Sequence, residues 1–205
     1  MPRTKSFQVD VKPEVLKWAV ETAGWERKEL VAALKITESV YEGWLSGEIK
    51  PTIKQLELLS KKTKRPLAAF FLPKPPKEEP LPKDYRMIPD RIGKFDRKTW
   101  LAIRKARYLQ EISSELALNI NKEVKAKIRK AKITDNPEQI ALHYRELFDL
   151  TLEKQTKEFK DAYKLYNYLR DTLEDYNIFS FQISMQLEDA RGFVLADKKP
   201  VIIVV

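Results

Sequence analysis

Glu26-Arg27-Lys28-Glu29-Leu30-Val31-Ala32-Ala33-Leu34-Lys35-Ile36-Thr37-Glu38-Ser39-Val40-Tyr41-Glu42-Gly43-Trp44-Leu45-Ser46-Gly47 decides the fold of the N-terminal part. Leu30, Val31 and Leu34 share one side of a helix running from Glu26 to Leu34. The short turn Lys35-Ile36-Thr37 then leads into another helix, with Thr37 as its N-cap, because a threonine hydroxyl accepts from the otherwise orphaned N–H groups of a first turn. Gly47 stops that helix by taking the left-handed conformation of a C-cap. Val40, Tyr41 and Trp44 fall at i, i+1 and i+4 and form its inward stripe, which leaves Glu38, Ser39, Glu42, Gly43 and Ser46 facing out.

Working outward, Pro13 to Ala23 reads as an earlier helix opened by proline and closed by Gly24, with Leu16, Ala19, Val20 and Ala23 on one face. Downstream, Thr52-Ile53-Lys54-Gln55 has the form of a capping box and opens a fourth helix with Leu56, Leu58 and Leu59 inward. Pro66 to Leu72 forms a fifth, short helix whose Leu67, Phe70 and Phe71 close the core. Five short helices make residues 1–72 a compact all-helical domain.

Pro73, Pro75, Pro76, Pro80, Pro82 and Pro89 make residues 73–99 an extended, semi-rigid linker. Beyond it, residues 100–205 read as an α+β domain. Leu101, Leu109, Ile112, Leu116, Ile120 and Val124 trace a long amphipathic stripe with Trp100 and Ile103 beside it. Asn136-Pro137 caps a helix running to Leu150, and a further helix spans Glu158 to Tyr176. Three short strands follow, around Ile178–Ile183, Gly192–Leu195 and Val201–Val205, and the turn Asp197-Lys198-Lys199-Pro200 joins the last two as an antiparallel pair. The fold class is therefore mainly α with a small C-terminal β element. The apolar run Val201-Ile202-Ile203-Val204-Val205 has nothing polar after it, so the second domain reads as incomplete, either truncated or completed by another chain against an exposed edge.

The chain has 205 residues, no cysteine and a net charge of +9. Without cysteine there is no disulfide framework or thiolate metal site, and a reducing, cytoplasmic setting is expected. Met1 to Asp10 lacks the apolar core of a signal peptide, and no run has the length of a membrane span. The charge is uneven: residues 1–75 carry +5, 76–130 carry +7 and 131–205 carry −3. The first two-thirds suit a polyanion and the last third repels one. Within the basic region Arg97 and Arg104, like Lys98 and Lys105, lie seven apart and share a helix face with Arg107 nearby. With Lys94 they read chiefly as a solvated face and secondarily as a route to nucleic acid. Glu174-Asp175 and Glu188-Asp189 read as solvated turns.

Leu30-Val31-Ala32-Ala33-Leu34, Thr37, Trp44, Gly47 and Pro51-Thr52 resemble the helix-turn-helix pattern of XRE (Cro/repressor-like) proteins over residues 13–72. Trp44-Leu45-Ser46-Gly47-Glu48, Arg65-Pro66-Leu67, Phe70-Phe71-Leu72-Pro73 and Asp84-Tyr85-Arg86 are similar to the N-terminal portion of ImmA/IrrE-family proteins. That resemblance continues through Phe181-Gln182-Ile183-Ser184-Met185 and Arg191-Gly192-Phe193. In the family the strand matching Val201–Val205 precedes a helix with a His-Glu-x-x-His zinc motif. Here the single histidine is His143, read as structural or at the surface, so no catalytic residue, metal ligand or cofactor carries over, and the chain is expected not to be an enzyme.

The XRE resemblance implies that the third helix enters the major groove of double-stranded DNA. Glu38, Ser39, Glu42 and Gly43 would face the bases, Arg27 would reach phosphate at the start of the second helix, and Lys28, Lys35, Lys50 and Lys54 would flank the face. Trp44 belongs to the core. The expected function is a DNA-binding transcriptional regulator, working as a homodimer, whose second domain senses or recruits. Two alternatives stand beside it: an interaction or antitoxin-like component whose Val201–Val205 strand pairs with a partner or with another copy, and a fragment of a zinc peptidase.

Overall fold

A computed structural model describes residues 7–79, 81–82 and 95–205. It is mainly helical with one small sheet, and the described residues divide into two compact units. The first holds residues 7–79, 81, 95–103 and Met185–Ala190, and the second holds 82, 104–184 and Arg191–Val205.

In the first unit, helices α1 (Pro13–Glu21), α2 (Arg27–Leu34), α3 (Glu38–Ser46) and α4 (Ile53–Thr63) surround one core. Its centre is Val15, Leu16, Leu30, Trp44, Leu56, Leu59 and Phe70, each almost wholly excluded from solvent. A fully buried leucine of this kind contributes about 1.5–3 kcal/mol. Local chemistry sets the boundaries. Thr37 accepts from Val40 N–H, Thr52 and Gln55 close a reciprocal capping box, and Gly47 ends α3 at φ +84°. The fifth helix is a 3₁₀ turn, Leu67–Phe71, because Pro66 and Pro73 leave too few residues to complete α-helical bonding. Residues 7–9 lie along the α4 entrance, where Val9 N–H donates to Pro51 O and Ile53 N–H to Phe7 O.

The Pro-rich segment is fastened where it is described. Glu78 accepts from Trp18 Nε1 (2.7 Å) and pairs with Arg65 (2.5 Å). The Arg65 guanidinium lies over the Trp18 ring and donates to Thr22 Oγ1. Residues 95–99 are not linker: Phe95 and Thr99 are buried, and helix α5 (Arg97–Asn119) begins there. Gly24, at φ +65°, meets this segment so closely that a Cβ would stand 2.8 Å from Arg97 N. Asp189 is likewise no solvated turn, since it is buried and accepts from Asp96 N–H at 2.7 Å.

In the second unit the sheet has strands β1 (Ile178–Phe181), β2 (Phe193–Leu195) and β3 (Val201–Val204) in the order β1-β3-β2. β2 and β3 form the expected antiparallel pair, and β3 also runs parallel to β1, with Ile178 opposite Val201. The expectation of a free Val201–Val205 edge is therefore overturned: β3 is the middle strand, with Ile202 and Val204 fully buried and both sides hydrogen-bonded. One face of the strand, Ile202 and Val204, is fully buried and the other, Val201 and Ile203, is half-buried, so with both edges paired the run needs no polar alternation and its composition mimicked an unprotected edge.

The later part of α5 turns a different face inward from the one expected. Ala106, Gln110 and Ala117 are buried, whereas Leu116 and Ile120 are 59% and 68% exposed. Small alanines allow a close approach that leucines would block. Gln110, 2% exposed, directs its amide at the carbonyls of Leu195, Lys198 and Pro200 (2.8–3.3 Å) and ties α5 to the β2–β3 turn. Beyond it stand α6 (Pro137–Leu147), capped by Asn136, then α7 (Leu152–Glu158) and α8 (Ala162–Asp175). The helix expected over Glu158–Tyr176 is α8, which starts at the Asp161 N-cap, whereas α7, opened by Thr151 and ending at Glu158, was not expected. Asp84-Tyr85-Arg86 and Lys94 lie outside the described residues.

Candidate nucleic-acid interface

Helices α2 and α3 meet through a tight, fully bonded turn. Lys35 takes the left-handed conformation at φ 56°, its N–H donates to Ala32 O (3.1 Å), and Ile36 N–H donates to Val31 O (3.3 Å). The orphan carbonyls at the end of α2 are thereby satisfied, and Thr37 starts α3 immediately. Leu30, Val31 and Leu34 from α2, with Tyr41 and Trp44 from α3, hold the pair against the core. Opposite that face, Glu38, Ser39 and Glu42 are exposed.

Arg27 is engaged within this surface. Its Nε donates to Glu38 (2.7 Å), its Nη2 pairs with Glu42, and its guanidinium lies 5.5 Å from the centre of the Tyr41 ring. The hydrogen bond to Glu38 raises the Arg27 pKa above its usual value despite some desolvation. Burial pushes the Tyr41 hydroxyl up. Arg27 therefore spans the first turns of both helices as a solvent-exposed latch. Such exposed pairs contribute little net stability and can exchange partners.

The flanking lysines differ among themselves. Lys50 pairs with Asp10 at 3.0 Å, and that hydrogen bond lowers the Asp10 pKa. Lys28, Lys35 and Lys54 are exposed, and none of them has an ion pair among the described residues. Gly43, expected to face outward, is buried. A Cβ there would stand 2.5 Å from Ile49 Cδ1, and Ile49 N–H donates to Gly43 O at 2.9 Å. Its missing side chain serves the return of the loop after α3, so Gly43 offers nothing to a ligand. Ile49 was missed as a shaper of this surface; the signal was a lone glycine inside a helix, which marks a close approach.

Among the described residues of the basic stretch after the linker, two cations are engaged within their own unit. Arg97 stacks over the Trp25 ring at 4.8 Å, and Arg107 pairs with Asp197 at 2.6 Å, while Lys98 and Lys105 are exposed. Burial would raise the Asp197 pKa, but the hydrogen bond and charge of Arg107 outweigh it and hold the group below its usual value. His143 is exposed and lies edge-on to the Tyr144 ring. No three His, Asp or Glu side chains among the described residues converge to hold a metal ion. No described helix is long and apolar enough to cross a membrane. Comparisons with protein-family models, curated proteins and solved structures found no match.

Proposed function

We propose that the chain is a cytoplasmic DNA-binding transcriptional regulator of the XRE type, with α2 and α3 as its helix-turn-helix and an ImmA/IrrE-like second unit that senses or recruits. The observation that carries this reading is the exposed first turn of α3, with Glu38, Ser39 and Glu42 beside the uncommitted cations Lys28, Lys35 and Lys54. The lysines supply phosphate contacts. The two carboxylates can accept from cytosine amino groups, and Ser39 can bond to either edge of a pair. On contact with duplex, Arg27 trades its glutamate partners for phosphate. One such module grips a half-site, so two copies act together.

Fluorescence anisotropy of the chain with duplex from its own upstream region and with a scrambled duplex, at low and moderate salt, tests the proposal. Preference for the native duplex that survives moderate salt, and that changes in Ser39→Ala, is expected. Equal or absent binding to both duplexes would refute it. A protein-docking role is a second reading, favoured by the exposed Leu116, Leu118, Ile120, Leu142 and Leu152 of the second unit. It predicts a partner whose affinity is insensitive to salt.

A further inference from the structure

The segment between α5 and α6 carries Lys122, Lys125, Lys127, Arg129, Lys130 and Lys132, with Glu123 as the one acid between the first and last of them. All six cations are exposed, and none has an ion pair among the described residues. Val124, Ala126 and Ile128, at alternate positions, are half-buried. The segment has no regular secondary structure, yet its backbone is tied down. Lys122 N–H donates to Ala117 O (2.8 Å) and Lys127 N–H to Tyr176 O (2.9 Å). The Asn177 side-chain amide, on a residue only 7% exposed, donates to Lys125 O (2.9 Å), and Tyr144 OH donates to Arg129 O.

Six like charges held together by a tethered backbone repel one another, and among the described residues none of their side chains is ion-paired; the Asp135 carboxylate at the end of the segment accepts instead from the Lys132 backbone N–H (2.8 Å). Glu174, just upstream of the Tyr176 that anchors Lys127, pairs instead with Arg170 (4.0 Å). A disordered lysine tail could spread its charges; this strap cannot, and its ordering cost is met before any partner arrives. We infer that residues 122–132 form a contact for the phosphate backbone of duplex DNA, separate from the helix-turn-helix, and this rests on the regulator reading above. Five of the six cations are lysines, point charges that suit phosphate, whereas base reading favours the planar fork of arginine. An irregular strap also lacks the helix or ribbon that fills a major groove. The contact is thus independent of sequence. A membrane surface would need an apolar face beside the charges, whereas Val124, Ala126 and Ile128 within the segment are half-buried and the exposed Ile120 and Ile133 stand only at its two ends.

The test compares the whole chain with Lys125→Gln/Lys127→Gln/Arg129→Gln. A control, Lys157→Gln/Lys160→Gln/Lys164→Gln, removes the same charge elsewhere in the second unit, and circular dichroism checks the fold of each variant. Because log K falls with log salt by about 0.9 per neutralised phosphate, the strap variant should lose about 2–3 from that slope, equally on native and scrambled duplex, with little change in the control. Equal effects of strap and control variants would overturn the inference. So would strap-dependent binding to vesicles of phosphatidylserine and phosphatidylcholine without strap-dependent binding to duplex. A strap effect without any preference for native duplex would sustain the strap and defeat the regulator reading. Preference retained with an unchanged slope would do the reverse, and no binding to any duplex would sink both.

Discussion

The helices of the first unit and those of the second solve the same problem differently. α1 to α4 each bury large side chains in one shared core, from Leu16 and Leu30 to Trp44 and Leu56. In the second unit the deep burial belongs to the sheet, through Ile178, Phe193, Leu195, Ile202 and Val204, while α6, α7 and α8 contain no fully buried residue. Amphipathic pattern alone therefore does not fix how much of a helix is covered. The first unit is held by apolar volume. The outer helices of the second rely on caps and polar ties, such as Lys154 with Asp149 and the Tyr168 hydroxyl donating to Phe148 O.

The largest effect that would break this contrast lies at Phe70, fully buried where the 3₁₀ turn meets the core. Phe70→Ala should cost about 3–5 kcal/mol in urea unfolding followed by tryptophan fluorescence. Trp18, Trp25, Trp44 and Trp100 all lie in the first unit, so that signal reports it alone. A loss under about 1 kcal/mol would show that its core is not what holds it.

Next comes Gln110→Ala, which strips the buried carbonyls of Leu195, Lys198 and Pro200 of a shared donor. A loss of about 1–3 kcal/mol is expected from far-ultraviolet dichroism during unfolding, sharpening the claim that polar ties matter in the second unit. Gly43→Ala ranks third. In an open helix the change stabilises by about 1 kcal/mol, but overpacking against Ile49 costs about 1–3 kcal/mol, so a net loss of roughly 0–2 kcal/mol should appear. Clear stabilisation would mean that Gly43 is not packed. Smallest of all, Leu152→Ser on α7, where the side chain is 72% exposed, should shift stability by no more than about 0.5 kcal/mol. A larger loss would reveal that something covers α7 in solution.

The features legible in the sequence were those written in local chemistry. Thr37, Gly47, Thr52 with Gln55, and Asn136 with Pro137 mark helix ends within a few residues of themselves, and the structure places caps at each. What could not be read depended on distant neighbours. The inward face of α5 is chosen by the turn that Gln110 grips some ninety residues later, so a hydrophobic stripe pointed to the wrong side. The middle position of β3 follows from parallel pairing with β1, which no alternation near Val201 encodes. At the candidate interface the exposed Glu38, Ser39 and Glu42 were legible from helical spacing, whereas the burial of Gly43 and the Arg27 latch required the loop and the two helices to be in place.

The central place of β3 also orders events during synthesis. A ribosome delivers the two edge strands first and the strand that joins them last, so β1 and β2 have no partner in their sheet until Val201–Val204 emerges. The first helical core needs only residues already made by Phe71 to bring α1 through α4 and the 3₁₀ turn together. The nascent chain can thus carry a settled helical domain while the later sheet is still two unpaired edges, and that interval is when a chaperone has most to shield.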